Sequence, residues 1–247
     1  MTRTYRIAEL NISVTTVGAG VHDLCKDYLI SSGKPDLVVQ TGRADIDFER
    51  DRSIRAYKAL GQTVPPLSDD LLEMSAVCRQ IAEQTPFRDT ILVLGSCIAV
   101  DGAGYFFTAD SGTGKSTHAA LWRQVFGKRV VMVNDDKPLV RIQDGAAVAF
   151  GTPWDGKDRL STNISVPLKG ICIIERGLRN EIRPISVEEA YPVLGRQVYR
   201  PMDGAALGKT LELIDRLASS VKLWHLFCTM DPKAASVASQ SMLKRQD

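Results

Sequence analysis

Apolar residues recur along this chain with two periods, and the switches between them mark the predicted elements. Residues 4–17 (TYRIAELNISVTTV) alternate well enough to predict a strand. Val21, Leu24, Cys25, Tyr28 and Leu29 then follow helical spacing, and LVVQT at 37–41 predicts a second strand. A charged, irregular stretch runs from there to about residue 65. Beyond Pro65-Pro66, Asp69 or Ser68 could cap a helix that shares Leu71, Met74, Cys78, Ile81 and Ala82 on one face, and Pro86 ends it.

After Pro86 the texture changes. ILVLGSCIAV (91–100) and YFFTA (105–109) predict a β-hairpin with Asp101-Gly102 in its turn. KSTHAALWRQVF (115–126) predicts a helix closed by Gly127, and VVMVN (130–134) a buried strand. PLVRI and AVAFG flank a turn at Gln143-Asp144-Gly145, and LKGICIIER (168–176) is a further strand. Ser186 and Glu189 form a capping box for a helix that Pro192 would kink. A helix over about 203–219 places Leu207, Leu211, Ile214 and Leu217 on one side. VKLWHLFC (221–228) reads as a strand, and Asp231-Pro232 opens a terminal helix. The pattern predicts an α/β protein with a small N-terminal lobe over residues 1–85 and a larger core over 86–247.

Composition narrows the classes. The 247 residues can bury a substantial core, and 44% apolar with 24% charged residues argues against disorder. A net charge of +2 gives no electrostatic footprint for nucleic acid. The five cysteines (Cys25, Cys78, Cys97, Cys172, Cys228) are scattered, form no CxxC pair and lie in apolar segments, so core thiols in a reducing compartment are expected. MTRTYRIAEL has no apolar leader core, and no run approaches a membrane span. A cytoplasmic protein with neither nucleic-acid nor membrane partners is expected; its oligomeric state stays open, a homo-oligomer included.

The strongest chemical signal is Ala109-Asp110-Ser111-Gly112-Thr113-Gly114-Lys115-Ser116, which matches GxxxxGK[ST] except at its first position. A polyphosphate must be wrapped by successive backbone amides, and glycine lets the chain approach closely with positive φ. The helix that follows aims its amides and dipole at the anion. Ser111, Gly112, Thr113, Gly114, Lys115, Ser116 and Thr117 are therefore the expected nucleotide-binding residues. Lys115 suits the β/γ-phosphates and the Ser116 hydroxyl suits Mg²⁺. No base-selective motif is present, so ATP is the default nucleotide.

Asp135 and Asp136 stand twenty positions beyond Lys115, at the end of an apolar strand. One helix, a reversal and one strand fill that interval, which would return both carboxylates to the phosphate loop. One can hold Mg²⁺ or its water; the other can take a proton from an attacking hydroxyl. A third cluster, FGTPWDGKDRLSTN (150–163), reads as a structured loop whose Lys157 or Arg159 would stabilise charge on a transferred phosphoryl group. Asn163 could orient substrate or cap the turn. His118 is expected to face solvent or a neighbour, Trp122 and Phe126 the core. Arg196 and Arg200 form a basic face or an anion clamp, the former being favoured.

SGTGKST, a short helix, an apolar strand ending in Asp-Asp and a Gly-rich polar loop together resemble the HPr kinase/phosphorylase group. They also resemble the wider set that shares a P-loop core with phosphoenolpyruvate carboxykinases. The resemblance covers residues 88 to about 165. It implies a P-loop-containing mixed β-sheet core flanked by helices, with which the hairpin ahead of the loop agrees. It also implies that Lys115 contacts the phosphates, that Ser116 binds Mg²⁺, and that Asp135 accepts the acceptor's proton beside Asp136. HPr kinases carry a histidine upstream of the loop, whereas no histidine lies between His22 and His118 here. The GTPWDGK stretch also differs from that group's usual signature. A divergent kinase-type paralogue is therefore expected, transferring the γ-phosphoryl group of ATP to a hydroxyl of a protein, peptide or small molecule. The alternative is a P-loop NTPase or nucleotide-gated binding module without a phosphorylated product.

Overall fold

Ala8 and Glu9 both adopt left-handed backbone, with φ of 49° and 60°. They break residues 4–17 into an antiparallel pair, β1 (Thr2–Ile7) and β2 (Leu10–Thr15), in place of the single strand expected. Neither residue is a usual one at such angles, so no glycine or asparagine announced the turn. The computed structural model showing this describes residues 1–244. The chain divides into two units, Met1–Gln84 and Thr85–Asp247.

In the first unit, α1 (Gly20–Leu24) is a short helix continued by a 3₁₀ turn at Lys26–Tyr28. The strand β3 (Leu37–Gln40) pairs in parallel with β2. The charged stretch expected to be irregular is largely a helix, α2 (Arg43–Ala59), with only Ile46 and Glu49 buried. Charge rather than an apolar stripe fixes it. Arg79 of α3 (Asp69–Gln84) donates to Glu49 at 2.6 Å and Asp45 at 3.0 Å, and lies over the Phe48 ring. On α3 the buried face takes in Leu72, Ala76, Val77, Cys78, Ile81 and Ala82, whereas Leu71 points to solvent, contrary to expectation. The Ser68 hydroxyl accepts from the Leu71 amide at 3.3 Å and caps this helix.

The second unit is a nine-stranded mixed sheet. Its strands and helices run β4 (Thr90–Leu92), β5 (Ser96–Val100), β6 (Ala103–Thr108), α4 (Lys115–Phe126), β7 (Val130–Asn134), β8 (Leu139–Gln143) and β9 (Ala146–Phe150). They continue with β10 (Ser165–Arg176), β11 (Glu181–Pro184), α5 (Val187–Gln197), α6 (Gly204–Ser220), β12 (Lys222–Cys228) and α7 (Lys233–Met242). The β5–β6 hairpin turns at Asp101 and Gly102, both left-handed, as the Asp-Gly pair predicts. Residues 91–92 belong elsewhere, because β4 pairs with β8. Gly95 lies between the two strands, where a Cβ would stand 2.5 Å from the Phe107 carbonyl oxygen and 2.3 Å from the Phe106 ring.

The long strand β10 joins two halves of the sheet. Its start pairs with β9, and its remainder lies between β6 and β12, parallel to both. Side chains alternate across this centre. Cys97, Ala99, Phe106, Ile171 and Ile173 pack with α5 and α6, while Ile98, Val100, Tyr105, Phe107, Cys172 and Ile174 pack with α4 and α7. Both faces are thus covered, which is why these strands read as continuous apolar runs. On α6 the buried positions are Ala206, Thr210, Leu213, Ile214, Leu217 and Ala218; Leu211 is exposed, a correction to the face expected.

Strand directions place the site. The strands β6, β10 and β12 run together, and β7, antiparallel to β5 as β6 is, runs with them. The carboxyl ends of all four, with the amino end of β5, therefore share one edge. Ligands in open α/β sheets bind at such an edge.

Candidate functional site

The turn from β6 to α4 is built for a bare backbone. Gly112 and Gly114 take φ of 78° and 123°, and an added Cβ at either would meet nothing within 4 Å. Conformation, not crowding, requires glycine here. The Thr113 amide turns back to the Asp110 carbonyl at 3.2 Å, and the His118 amide bonds Gly114 at 2.9 Å. Helix geometry leaves the amides of Lys115, Ser116 and Thr117, at the start of α4, without helical acceptors. Ser111 and Ser116 are exposed; Thr113, Lys115 and Thr117 are half-buried.

A cation from another strand braces this turn. Arg176, the last residue of β10, donates to the carbonyl oxygens of Gly112 at 2.6 Å and Thr113 at 3.2 Å. Because a peptide unit is planar and trans, a Thr113 carbonyl drawn toward Arg176 turns the Gly114 N–H the opposite way. On a second flank Asp110 accepts from Gln197 at 3.1 Å, with Arg196 at 3.7 Å. Arg200 instead donates to the Gly195 carbonyl near the end of α5.

Lys115 Nζ donates to the carbonyl oxygens of Ala109 at 2.9 Å and Asp110 at 3.3 Å. Burial lowers its pKa, against the upward pull of Asp136, Asp110 and Asp135. The two aspartates after β7 therefore lie within electrostatic reach of the loop lysine. Asp135 is held from β5. It accepts from Ser96 Oγ at 2.5 Å, and Ser116 also favours its ionised form. Burial raises the Asp135 pKa; Ser96 and Ser116 oppose the rise, and the charges of Asp155 and Asp136 add to it. Asp136 pairs with the ammonium of its neighbour Lys137.

The acidic turn hangs on Asn134, which is fully buried. Its side-chain oxygen accepts from the amides of Asp136 at 2.9 Å and Lys137 at 2.7 Å. Its amide nitrogen donates to the carbonyls of Thr152 and Trp154, both at 3.1 Å. One side chain thus fixes the direction of the aspartates and ties the 150–163 loop beneath them. Asp155 completes the tie by accepting from the amides of Asp135 at 3.0 Å, Gly156 at 2.7 Å and Ser161 at 2.7 Å. A Cβ on Gly156 would stand 2.8 Å from the Asp135 carboxylate, so this loop and that acid are in close contact.

Lys157 and Arg159 are carried on the same loop but stand exposed, and neither side chain pairs with the phosphate loop or the acidic pair. Asn163 is exposed too. His118 faces neighbours rather than solvent, the second of the two settings expected. It is 2% exposed, and its Nε2 accepts from Trp122 Nε1 at 2.9 Å, with burial pushing its pKa down to about 4. Phe107 packs edge-on against its ring. Trp122 is fully buried, with Phe126 packed against the same cluster.

Three contributors had no signal in the sequence. Ser96 is an ordinary strand residue until the sheet sets it opposite Asp135. Asn134 precedes the acidic pair, but its role depends on a loop eighteen to twenty residues away. Arg176 reaches its partners across 63 and 64 residues.

No protein-family model matches the chain, and no curated protein matches it by sequence. Among solved structures, the HPr(Ser) kinase/phosphatase from Coxiella burnetii is similar at a TM-score of 0.34 and 8% identity, over 62% of this chain and 96% of that one. A likeness this distant carries no argument about activity. No helix among the described residues is long and apolar enough to cross a membrane.

Proposed function

We propose that the chain binds a nucleoside triphosphate with Mg²⁺ and transfers its γ-phosphoryl group to a hydroxyl-bearing acceptor. One observation supports this most: the sheet sets Asp135, bonded to Ser96 and packed on Gly156, at the same edge as the glycine turn into α4 that carries Lys115 and Ser116. An acid beside an anion-binding turn has little use unless cations and phosphate oxygens are to be arranged there.

The donor set fits Mg²⁺. A hydroxyl and one or two carboxylates are hard oxygen ligands, and Mg²⁺ commonly keeps waters and phosphate oxygens for its other positions. Ser116 and Asp136 would hold it, leaving the neighbouring Asp135 to accept the proton; bound there, it would neutralise charge on the β- and γ-phosphates. No group of three or more His, Cys, Asp or Glu suited to a metal occurs among the described residues, so the phosphates themselves would complete the set.

The chain's own groups would do the rest. Amides of Gly114 to Thr117 bind the phosphates, and Lys115 exchanges its carbonyl partners for phosphate oxygens. Asp135, its affinity for a proton raised by burial, takes the proton of the attacking hydroxyl. The new bond joins that oxygen to the γ-phosphorus, the β,γ-bridging bond breaks, and the nucleoside diphosphate leaves. Lys157 and Arg159 are further candidates for charge stabilisation, because their loop packs on Asp135 through Gly156. The acceptor is a serine-type hydroxyl of a protein or peptide, or a small molecule.

Incubation with γ-labelled ATP and Mg²⁺ in extract of the source cell tests the proposal. Label should pass into an acceptor with the wild type and not with Asp135→Asn, while Asp135→Asn still binds ATP. Full turnover by Asp135→Asn, or unaltered ATP affinity in Lys115→Ala, would overturn it. Release of inorganic phosphate alone, with no labelled acceptor, would establish the hydrolase reading instead.

A further inference from the structure

Two cavities flank the phosphate loop on the side away from the acidic pair. The first, about 570 Å³, lies against Asp110–Thr113, the end of β10 and α5; Asp110, Glu175, Arg176 and Arg196 charge its walls. The second, about 360 Å³, opens between Gly112–Gly114, the α4 residues Thr117, His118 and Leu121, and the chain leaving β10 and β12. Its far wall is Gly177, Cys228, Thr229 and Met230, with Arg176 as its single ionised group.

We infer that the second cavity receives the nucleoside portion of the triphosphate. This rests on the phosphate-binding reading above and extends it. Sheet order fixes which way a bound chain would run. The aspartates follow β7, two strands from β6 on one side, while β10 and β12 lie on the other. A polyphosphate seated on the turn after β6, with its terminal phosphate toward Asp135, must direct its other end toward β10 and β12. The cavity begins where that end emerges, because Gly112, Thr113 and Gly114 are its near wall.

The wall chemistry then separates the two spaces. A base and ribose are neutral, flat and hydroxylated, and they are poorly served by the four ionised side chains of the larger cavity. The smaller one offers Leu121 and Met230 for apolar contact and the hydroxyls of Thr117 and Thr229. His118, in the same wall, has its Nε2 occupied by Trp122, which leaves the proton on Nδ1. That Nδ1 is a buried polar atom with no partner among the described residues. The volume lies within the range of about 300–1,000 Å³ typical of small-molecule sites.

Cys228 supplies the reporter. Cys25, Cys78, Cys97 and Cys172 are buried, whereas Cys228 is partly exposed and lines the cavity. Burial raises its pKa and slows its alkylation, so labelling with iodoacetamide is run in mildly alkaline buffer and followed as a rate. The native protein is labelled with Mg²⁺ alone, with ATP, or with inorganic tripolyphosphate, and peptide mass spectrometry follows Cys228. Binding of each ligand is measured in parallel by calorimetry. Saturating ATP is expected to slow Cys228 labelling at least about tenfold, since a bound nucleoside must leave before the reagent enters. Tripolyphosphate should bind yet leave the labelling rate nearly unchanged. Met230→Cys, at an exposed position on the lip, gives a second reporter that should behave alike. ATP binding with both thiols labelled at the free rate would overturn the assignment, as would equal protection by tripolyphosphate. Failure of both ligands to bind would instead remove the phosphate-loop reading on which the assignment stands.

Discussion

Ser96 donates its hydroxyl proton to the Asp135 carboxylate at 2.5 Å, joining the first residue of β5 to the residue that follows β7. The contact stabilises the ionised carboxylate against the burial that raises its pKa. Ser96→Ala removes that donor, so the Asp135 pKa should rise further. If Asp135 is the proton acceptor, the acid limb of the kcat/KM–pH profile moves to higher pH while the neutral plateau changes little. A profile with the acid limb unmoved would separate Asp135 from the proton transfer.

Asp135 also sets a sign for stability. Its folded-state pKa is raised, so the folded protein holds a proton that the unfolded chain has already lost. Stability from this group is present at acid pH and falls as pH rises through the folded pKa. Asp135→Asn should therefore be more stable than wild type at neutral pH by about 1 kcal/mol, the usual scale for relieving a functional site. The difference should shrink toward zero in acid, as denaturant melts at pH 7 and at about pH 2.5, more than one unit below the ordinary Asp value, would show.

His118 acts in the opposite direction. Burial lowers its pKa to about 4 from 6.5, so the unfolded chain protonates first as pH falls. Stability is lost between those two values, by roughly 2–4 kcal/mol in all. His118→Gln, which keeps an acceptor for Trp122 Nε1, should flatten this part of the stability–pH curve. An unchanged slope between pH 6 and about pH 4 would show that another group titrates there.

Asn134 is the joint of the site, and its loss should be felt in folding as much as in turnover. Asn134→Ala leaves the amides of Asp136 and Lys137 and the carbonyls of Thr152 and Trp154 without this partner. A cost of roughly 2–4 kcal/mol is expected, since each stranded buried group costs on the order of 1–3 kcal/mol. Asn134→Asp keeps the acceptor but loses both donations and buries a charge, so it should be no better tolerated. Chemical denaturation of the two variants measures this.

Arg176 should matter to binding and little to stability, because its guanidinium is exposed and holds only loop carbonyls. Arg176→Ala is expected to weaken tripolyphosphate binding about tenfold, equivalent to about 1.4 kcal/mol, by letting the Gly112–Gly114 peptides turn. Arg176→Lys should restore part of that loss. Calorimetric titration at constant melting temperature checks both.

Elements carrying their own start and stop signals were legible from the residues alone. The helix at Lys115–Phe126, the Asp101-Gly102 and Asp144-Gly145 turns and the Ser186–Glu189 capping box are local, and each lies where its residues indicate. The two glycines of the phosphate loop are legible for the same reason, since left-handed backbone within a few residues needs no distant partner. Misreadings arose where stability came from afar. The helix Arg43–Ala59 rests on ion pairs to Arg79 instead of an apolar stripe, and the turn at Ala8-Glu9 is imposed by strand pairing on residues that do not favour it.

The chain by itself determined a phosphate-loop sequence, a pair of acids and the lengths that separate them. Tertiary structure alone decided that Ser96 would touch Asp135, that Arg176 would brace Gly112 and Thr113, and that Asn134 would bind a loop beneath the acids. The reason is range. Dihedral preference acts over a handful of residues, whereas hydrogen bonds at a strand edge form between whichever residues the sheet order brings there.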